Sequence, residues 1–343
     1  AMAFDWQDAD RLDALAWTLA VDAAPLDPAT LGLASQPAIA VALQARGGPG
    51  IGPEALAASP GLGVALSGRV AREDIAVVLR DSRLRWHEGV LHAEPMALSL
   101  LDGRIDLTGT YGFDSGALSV VARAEALAWG EGEARVRADG EATLGGTVEA
   151  WSADLDLDLA RGGQQATLTG RARGDAEAVA LAPFTFATPG GALEGEARYA
   201  LDDAGAFTLD AALRRFDPAW LAPEWPGRID ARIRVDGAAP AAAPLRYAAT
   251  LDALTGTLRG QPVEGEARME ADGDAMAVQS TLALGDGRLT VEGALAPALD
   301  LDLGLRTLDV APWLDGARGV LDGRLGVSGS TTRPALEADL ALL

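Results

Sequence analysis

The stretch DLDLD places Asp154, Asp156 and Asp158 at alternate positions, with leucines between them. In a β-strand this spacing puts all three carboxylates on one face. Carboxylate oxygens are ligands that Ca²⁺ prefers. However, the sequence contains neither the EF-hand spacing nor the glycine-aspartate nonapeptide of calcium-binding β-rolls. We therefore interpret the three aspartates as the solvated face of a strand and predict no metal site.

The two histidines, His87 and His92, lie close together in RWHEGVLH. On one continuous strand a spacing of five would place them on opposite faces. A shared metal would need a turn at Glu88-Gly89 and further ligands, so we interpret them as surface histidines beside a hairpin. The sequence has no cysteine and no nucleophile-elbow motif, and its GGPGIG stretch lacks the lysine of a phosphate loop. We predict that the protein is not an enzyme and needs no cofactor.

The elements that carry these side chains are strands, because apolar and polar residues alternate along most of the chain. Asp-Gly pairs, which favour tight hairpins, separate many of the alternating runs. Within VLDGRLG (320–326) the pair instead fits a bulge or bend in a strand. Short helices are predicted only at 8–17 and 52–58. The clearest strand patterns lie at 75–80, 155–160, 206–213, 228–237, 287–293, 299–306 and 320–329.

The composition restricts the partners. The net charge is −22 at pH 7 and the pI is near 4.4. Such a chain lacks the clustered cations that bind nucleic acid or hold a protein on anionic headgroups. No apolar run approaches the ~20 residues that span a bilayer, and no signal peptide is visible. We expect a fragment whose targeting and anchoring segments lie outside it.

A repeated unit recurs along the chain. LDGRIDLTGTYGFD (101–114) returns in altered form at 189–202 and at 285–300. FDPAWL (216–221) is likewise similar to DVAPWL (309–314). The offsets cluster between roughly 88 and 97 residues, which predicts seven or eight strands per unit at ordinary strand lengths. No linker interrupts the chain. We predict one continuous repeat-built structure over 1–343, with approximate units at 1–100, 101–190, 191–286 and 287–343.

The apolar side of such a sheet must be covered. The sheet could close on packed side chains, divide into separate sandwiches, or curl into a trough that holds something apolar. Alanine is abundant among the inward residues and leaves space, which favours a cavity over a packed core. Tryptophans 129, 220, 225 and 313 stand in turn contexts, where they could pack at corners of the fold or face a partner, and we expect corner packing.

The alternating strands resemble those of the TamB family, the large inner-membrane-anchored subunit of the translocation and assembly module of Gram-negative bacteria. The similar pattern is a turn followed by GRL-G-L-V-G-P-L-A-L, and it appears at 216–254 and 308–343. The resemblance implies an elongated, curled antiparallel sheet (a β-taco) with an apolar interior, related to AsmA-like and bridge-like lipid-transfer proteins. This sequence lacks the family's N-terminal membrane helix, so we expect an interior or C-terminal portion.

The resemblance also implies a function. Family members are thought to cross the periplasm and carry phospholipid to the outer membrane, together with the barrel protein TamA. We therefore expect a periplasmic lipid conduit, attached to the inner membrane through a helix outside this sequence. The alternatives are a chaperone for outer-membrane β-barrel proteins and autotransporters, or a structural array of β-sandwiches. The predicted groove residues are Val64, Leu66, Ile75, Val77, Leu79, Leu98, Leu100, Ile105, Leu107, Leu155, Leu157, Leu159, Phe184, Phe186, Phe207, Leu209, Ile229, Ile233, Leu301, Leu303 and Leu305.

Overall fold

The computed structural model describes residues 17–26, 39–48, 51, 62–72, 75–240, 243–314, 316–330 and 333–342. Most of these residues lie in β-strands, and the helical segments among them are two 3-10 turns, Gly132–Ala134 and Pro218–Trp220. The predicted all-β antiparallel class is confirmed. The helix predicted at 52–58 lies outside the described residues. So does the one predicted at 8–17, except for Trp17, which begins the first strand.

The chain divides into two compact units, unit 1 (Ala1–Ala176) and unit 2 (Glu177–Leu343). The predicted repeat boundaries are not the boundaries of these units, and they stay predictions. The strands of unit 1 are β1 (Trp17–Leu26), β2 (Ile39–Gly47), β3 (Leu62–Arg72), β4 (Ile75–His87), β5 (Val90–Leu100), β6 (Gly103–Gly112), β7 (Ala117–Trp129), β8 (Val136–Thr147), β9 (Ala150–Arg161) and β10 (Gln164–Asp175).

Unit 2 continues in the same style, with long strands and mostly short turns. Its strands are β11 (Ala178–Thr188), β12 (Gly191–Ala200), β13 (Ala206–Phe216), β14 (Gly227–Ala238), β15 (Arg246–Leu258), β16 (Gln261–Asp272), β17 (Ala275–Leu284), β18 (Gly287–Ala296), β19 (Leu299–Asp309), β20 (Val320–Ser330) and β21 (Arg333–Leu342).

Within each unit every strand pairs antiparallel with the strand that follows it in the chain. Antiparallel neighbours need only a short turn, which the glycine-rich connections supply. This order is a meander in one sheet per unit. An array of β-sandwiches would instead divide consecutive strands between two sheets through Greek-key connections. The sandwich alternative therefore does not fit the strand order.

Each sheet has one apolar face and one polar face, because the side chains alternate along every strand. In β9, Leu155, Leu157 and Leu159 lie on the apolar face and the aspartates between them lie on the other. The registers keep this division from strand to strand: Leu157 stands opposite Gly140 on one side and Leu168 on the other. The register is strongly specified, since a one-residue slip would move every leucine of a strand to the polar face.

The repeat has a period of six strands. The three copies of the repeated segment, at 101–114, 189–202 and 285–300, lie at the starts of strands β6, β12 and β18. The prediction of seven or eight strands per repeat is wrong. The strands are longer than the ordinary length assumed, at 10 to 13 residues from β3 onward, so fewer fit into one repeat.

Each repeat contains a β-bulge that contacts a glycine of the preceding strand and an aspartate of the following strand. In β13 the bulged residue Arg215 has a φ of 51°. A Cβ on Gly191 of β12 would overlap the Arg215 carbonyl, so only glycine permits this approach. On the other side, Asp230 of β14 accepts a hydrogen bond from the Arg215 backbone N–H. The equivalent trios in the other repeats are Gly103, Ala126 and Asp139, and Gly287, Thr307 and Asp322.

The Asp-Gly pairs have two roles. At 102–103, 272–273 and 286–287 they lie at hairpin turns, as predicted. At 139–140, 236–237 and 322–323 they lie inside strands. The bulge next to VLDGRLG lies in the neighbouring strand β19, where the Thr307 N–H donates a hydrogen bond to Asp322, while β20 itself pairs with β21 without a register shift. The remaining pair, at 315–316, is only partly within the described residues.

Candidate functional site

The candidate site is the apolar face of each sheet. In unit 1 the registers place the predicted groove residues of β3 to β9 on this one face. Ile105, for example, stands opposite Leu98 and Ala124. The side chain of Ile75 lies outside the described residues. The others that share the face are Val64, Leu66, Val77, Leu79, Leu98, Leu100, Ile105, Leu107, Leu155, Leu157 and Leu159.

In unit 2 the predicted residues again share one face. Phe207 and Leu209 stand opposite Gly237 and Val235, and Leu303 stands opposite both Val291 and Leu325. Sequence alternation missed further members of this face near bulges, such as Leu254 and Leu308, where the period of two is interrupted. The predicted residues on the face are Phe184, Phe186, Phe207, Leu209, Ile229, Ile233, Leu301, Leu303 and Leu305.

The side chains of this face are covered only in part. Among the predicted residues whose side chains are described, Leu159 and Phe184 are buried, and all the others are half-buried. None is fully exposed. A leucine in a packed core would lose nearly all of its accessible surface. Half-burial is what a sheet gives when strand neighbours cover the flanks of a side chain and nothing covers its top.

The face is also almost free of charge. In unit 2 none of the described side chains on it is charged, and its polar members include Ser280 and Gln261. In unit 1, among the described side chains, Arg161 is the charged member and stands at the end of β9. The face is therefore a continuous apolar surface within each unit.

One part of the face in unit 2 is packed more tightly. Leu213, Phe216 and Ala231 form a buried cluster across β13 and β14. The ring of Phe186 on β11 lies 6.2 Å from that of Phe216, across the intervening strand β12. The two strands are about 9.6 Å apart, so the two rings lean towards each other over β12.

The polar face carries the charges. Asp154, Asp156 and Asp158 are exposed on it, and Asp154 accepts a hydrogen bond from Arg171 at 2.8 Å. Similar exposed pairs join neighbouring strands, such as Arg123 with Glu141 at 2.8 Å. Exposed pairs of this kind contribute roughly 0.2–1 kcal/mol each. Their main consequence is a solvated surface that opposes association of sheets.

The structure does not bring the two histidines into a metal site. His87 pairs with Val90 across the predicted turn at Glu88 and Gly89, and His92 stands opposite Arg85. Both histidines are half-buried. Within the described part of the chain, no group of three or more His, Asp or Glu side chains could hold a metal ion.

The four tryptophans differ in how deeply they are buried. Their positions are described by the two edges of each sheet where strands end: in each unit, rim A is the edge at which the odd-numbered strands end, and rim B is the opposite edge. Trp220, in the rim A loop after β13, is buried and its ring meets Phe186 edge-on at 4.7 Å. Trp225 and Trp313 stack on each other at the same rim. Trp129 is 44% exposed, so the expected corner packing does not apply to it.

A cavity of about 710 Å³ lies at rim B of β14 to β18. Most of its lining comes from the polar face, including Arg246, Glu270, Asp272 and Ala277. The rest of the lining, including Tyr247, Ala271 and Met276, comes from the end of the apolar face at this rim. The apolar face, and not this cavity, is the candidate site.

A family model described as TamB, N-terminal domain, matches residues 117–342, about two thirds of the chain. The chain belongs to the TamB family. The matching TamB model is the N-terminal domain, whereas the sequence led us to expect an interior or C-terminal portion. TamB proteins are non-enzymatic components of an outer-membrane assembly and lipid-transport system, and they span the periplasm. No curated protein and no solved structure matches the chain. Among the described residues of this TamB chain, no helix has the length and apolar character to span a bilayer.

Proposed function

We propose that the apolar face binds the acyl chains of phospholipids and carries them along the sheet between the inner and outer membranes. One observation supports this most directly: large apolar side chains such as Leu301, Leu303 and Leu305 are only half-buried on a face without charges. Full burial of a leucine contributes roughly 1.5–3 kcal/mol, so covering the exposed half adds about 1 kcal/mol per residue. Acyl chains can supply this cover without a specific polar site.

The polar face supports the same proposal. Its carboxylates and arginines keep the outer surface in water and discourage the sheets from pairing with each other. The chemistry of the two faces therefore suits a lipid carrier that works in an aqueous compartment. We further propose that the full-length protein is anchored in the inner membrane by a helix outside this sequence, and that it works with the barrel protein TamA.

The test replaces inward leucines with charges. We expect the variant Leu301→Asp/Leu303→Asp to lose bound lipid, measured by solvent extraction and mass spectrometry of the purified protein. The control is Asp300→Asn/Asp302→Asn, on the polar face of the same strand, which should retain the wild-type amount. Wild-type lipid content in the leucine variant would rule out the apolar face of β19 as the binding surface.

A second candidate function is that of a chaperone for outer-membrane β-barrel proteins. It is favoured by the same half-buried apolar face, because the apolar side chains of an unfolded precursor could also cover it. A photo-crosslinker placed at Leu303 separates the two functions, because lipid adducts support transport and polypeptide adducts support the chaperone.

A further inference from the structure

Two long loops at rim A of unit 2 are joined to each other. The loop 217–226 connects β13 to β14, and the loop 310–319 connects β19 to β20. The ring centroids of Trp225 and Trp313 lie 6.4 Å apart, with their planes inclined by 24°, so the rings are stacked. Four strands, β15 to β18, lie between the two loops in the sheet. On a flat sheet β14 and β19 would be about 24 Å apart. The contact therefore shows that the two loops come together at this rim, although four strands separate them in the sheet.

Arg259, in the turn between β15 and β16, contacts both loops and stabilises their contact. Its guanidinium carbon lies 5.5 Å from the centre of the Trp225 ring, in a cation–π contact. Its Nη1 donates a hydrogen bond to the carbonyl oxygen of Trp313 at 2.9 Å. Its backbone N–H donates to the carbonyl oxygen of Pro226 at 2.7 Å. One arginine thus contacts both loops. We call residues 217–226, Arg259, 310–314 and 316–319 the strap.

The strap also touches the apolar face. Asp217 begins the loop and accepts hydrogen bonds from the backbone N–H groups of Ala219 and Gly227, each at 3.0 Å. This fixes the position of Trp220, whose ring meets Phe186 at 4.7 Å. Trp220 therefore covers apolar surface of β11 that would otherwise be open to an acyl chain.

The exposed side chains of the strap include two leucines as well as the charged Glu224 and Arg318. Leu221 and Leu314 follow Trp220 and Trp313 in the two loops, and each is 59% exposed. These exposed leucines offer an acyl chain at this rim an apolar contact outside the strand ladder. The rings that hold the loops together, Trp225 and Trp313, are themselves only half-buried. A junction of two partly exposed rings and one arginine can separate without disturbing the strand ladder.

We propose that the strap is a gate at rim A, which opens when Trp225 and Trp313 separate and then admits acyl chains to the apolar face of unit 2. This proposal rests on the function proposed above. In the closed gate Trp220 covers Phe186. Opening would free the loop 217–226 to lift Trp220, and lipid would take its place on the face.

The experiment measures how fast a fluorescent phospholipid moves from donor vesicles onto the protein, and how much is bound at equilibrium. Trp313→Ala should load several times faster than the wild type and reach the same final amount. Because the chain has no cysteine, a Trp225→Cys/Trp313→Cys variant can be closed with a short bis-maleimide. The closed form should load several times more slowly than the same variant before cross-linking. Arg259→Gln, a milder change, should fall between Trp313→Ala and the wild type.

Arg135→Gln is the matched control for Arg259→Gln, because Arg135 lies at rim A outside the strap and pairs with the exposed Asp102 at 2.9 Å, and it should load at the wild-type rate. Wild-type loading rates in Trp313→Ala, Arg259→Gln and the cross-linked variant, with normal final binding, would overturn the gate and leave the lipid face intact. If the wild-type chain takes up no lipid at all, the proposed function fails and the gate fails with it. An Arg135→Gln variant that loads as fast as Arg259→Gln would also overturn the gate.

Discussion

Asp230 and Arg215 are joined across β13 and β14: Oδ1 of Asp230 accepts a hydrogen bond from the Arg215 backbone N–H at 3.1 Å. Arg215 lies in a bulge and has a φ of 51°, so its N–H cannot take its usual place in the ladder. The carboxylate supplies the missing acceptor. Asp139 and Asp322 make the same contact with Ala126 and Thr307, at 2.7 Å and 3.2 Å.

The first prediction concerns this contact. Asp230→Ala should lower the free energy of unfolding by about 1 kcal/mol, because the Arg215 N–H loses its acceptor in the protein but stays close to water. Asp230→Asn keeps an acceptor oxygen and should lose less. Urea unfolding followed by circular dichroism measures both. Asp236→Ala, on the same face of β14, is the control, and an equal loss there would contradict a specific role for Asp230.

The second prediction concerns the glycine that lies against the same bulge. A Cβ on Gly191 would overlap the carbonyl oxygens of both Arg214 and Arg215. Gly191→Ala should therefore destabilise the protein by roughly 1–3 kcal/mol, the usual cost of overpacking. The matched control is Gly326→Ala in β20, where the nearest atoms would be 3.7 Å and 3.8 Å from the new Cβ. It should be neutral or slightly stabilising. Similar unfolding midpoints for both variants would refute the close approach at Gly191.

Alternation was sufficient to predict which side chains share a face. A strand has a period of two, so Leu155, Leu157 and Leu159 had to lie together once the segment was a strand. The direction of Ile105 and Leu107 followed in the same way, and the registers confirm it. What these residues bind stays a prediction, because alternation fixes a face and not its ligand.

The bulges were harder to predict. Arg215, Ala126 and Thr307 adopt positive φ although none is glycine or asparagine, so their residue types give no sign of it. The residues that indicate the bulge at Arg215 are Gly191 and Asp230 in the neighbouring strands, and they can be recognised only when the strand pairing is known. The contact of Trp225 with Trp313 could not be predicted from the sequence for a similar reason. Two turns 88 positions apart meet only because of how the intervening strands are arranged.

The third prediction concerns Trp220. Its side chain is 9% exposed and packs against Phe186, so Trp220→Ala should leave a cavity and cost about 3 kcal/mol. Trp129 is 44% exposed, and Trp129→Ala should cost less than about 1 kcal/mol, as is usual for surface positions. Thermal unfolding of the two variants under the same conditions gives the comparison. A smaller loss for Trp220→Ala than for Trp129→Ala would contradict the packing of Trp220 on the apolar face.

The last prediction distinguishes the two faces by their response to lipid. The chain has no native cysteine, so Leu303→Cys and Asp302→Cys each introduce one reactive thiol, on the apolar and polar faces of β19. Because Leu303 is only half-buried, both thiols should react with a maleimide in the lipid-free protein. At a phospholipid concentration about ten times the Kd, roughly nine tenths of the sites are occupied. The labelling rate of the Leu303→Cys thiol should then fall about tenfold, while the labelling rate of the Asp302→Cys thiol stays unchanged. Equal protection of both thiols would mean that lipid coats the protein without regard to face, which a carrier with one apolar surface cannot do.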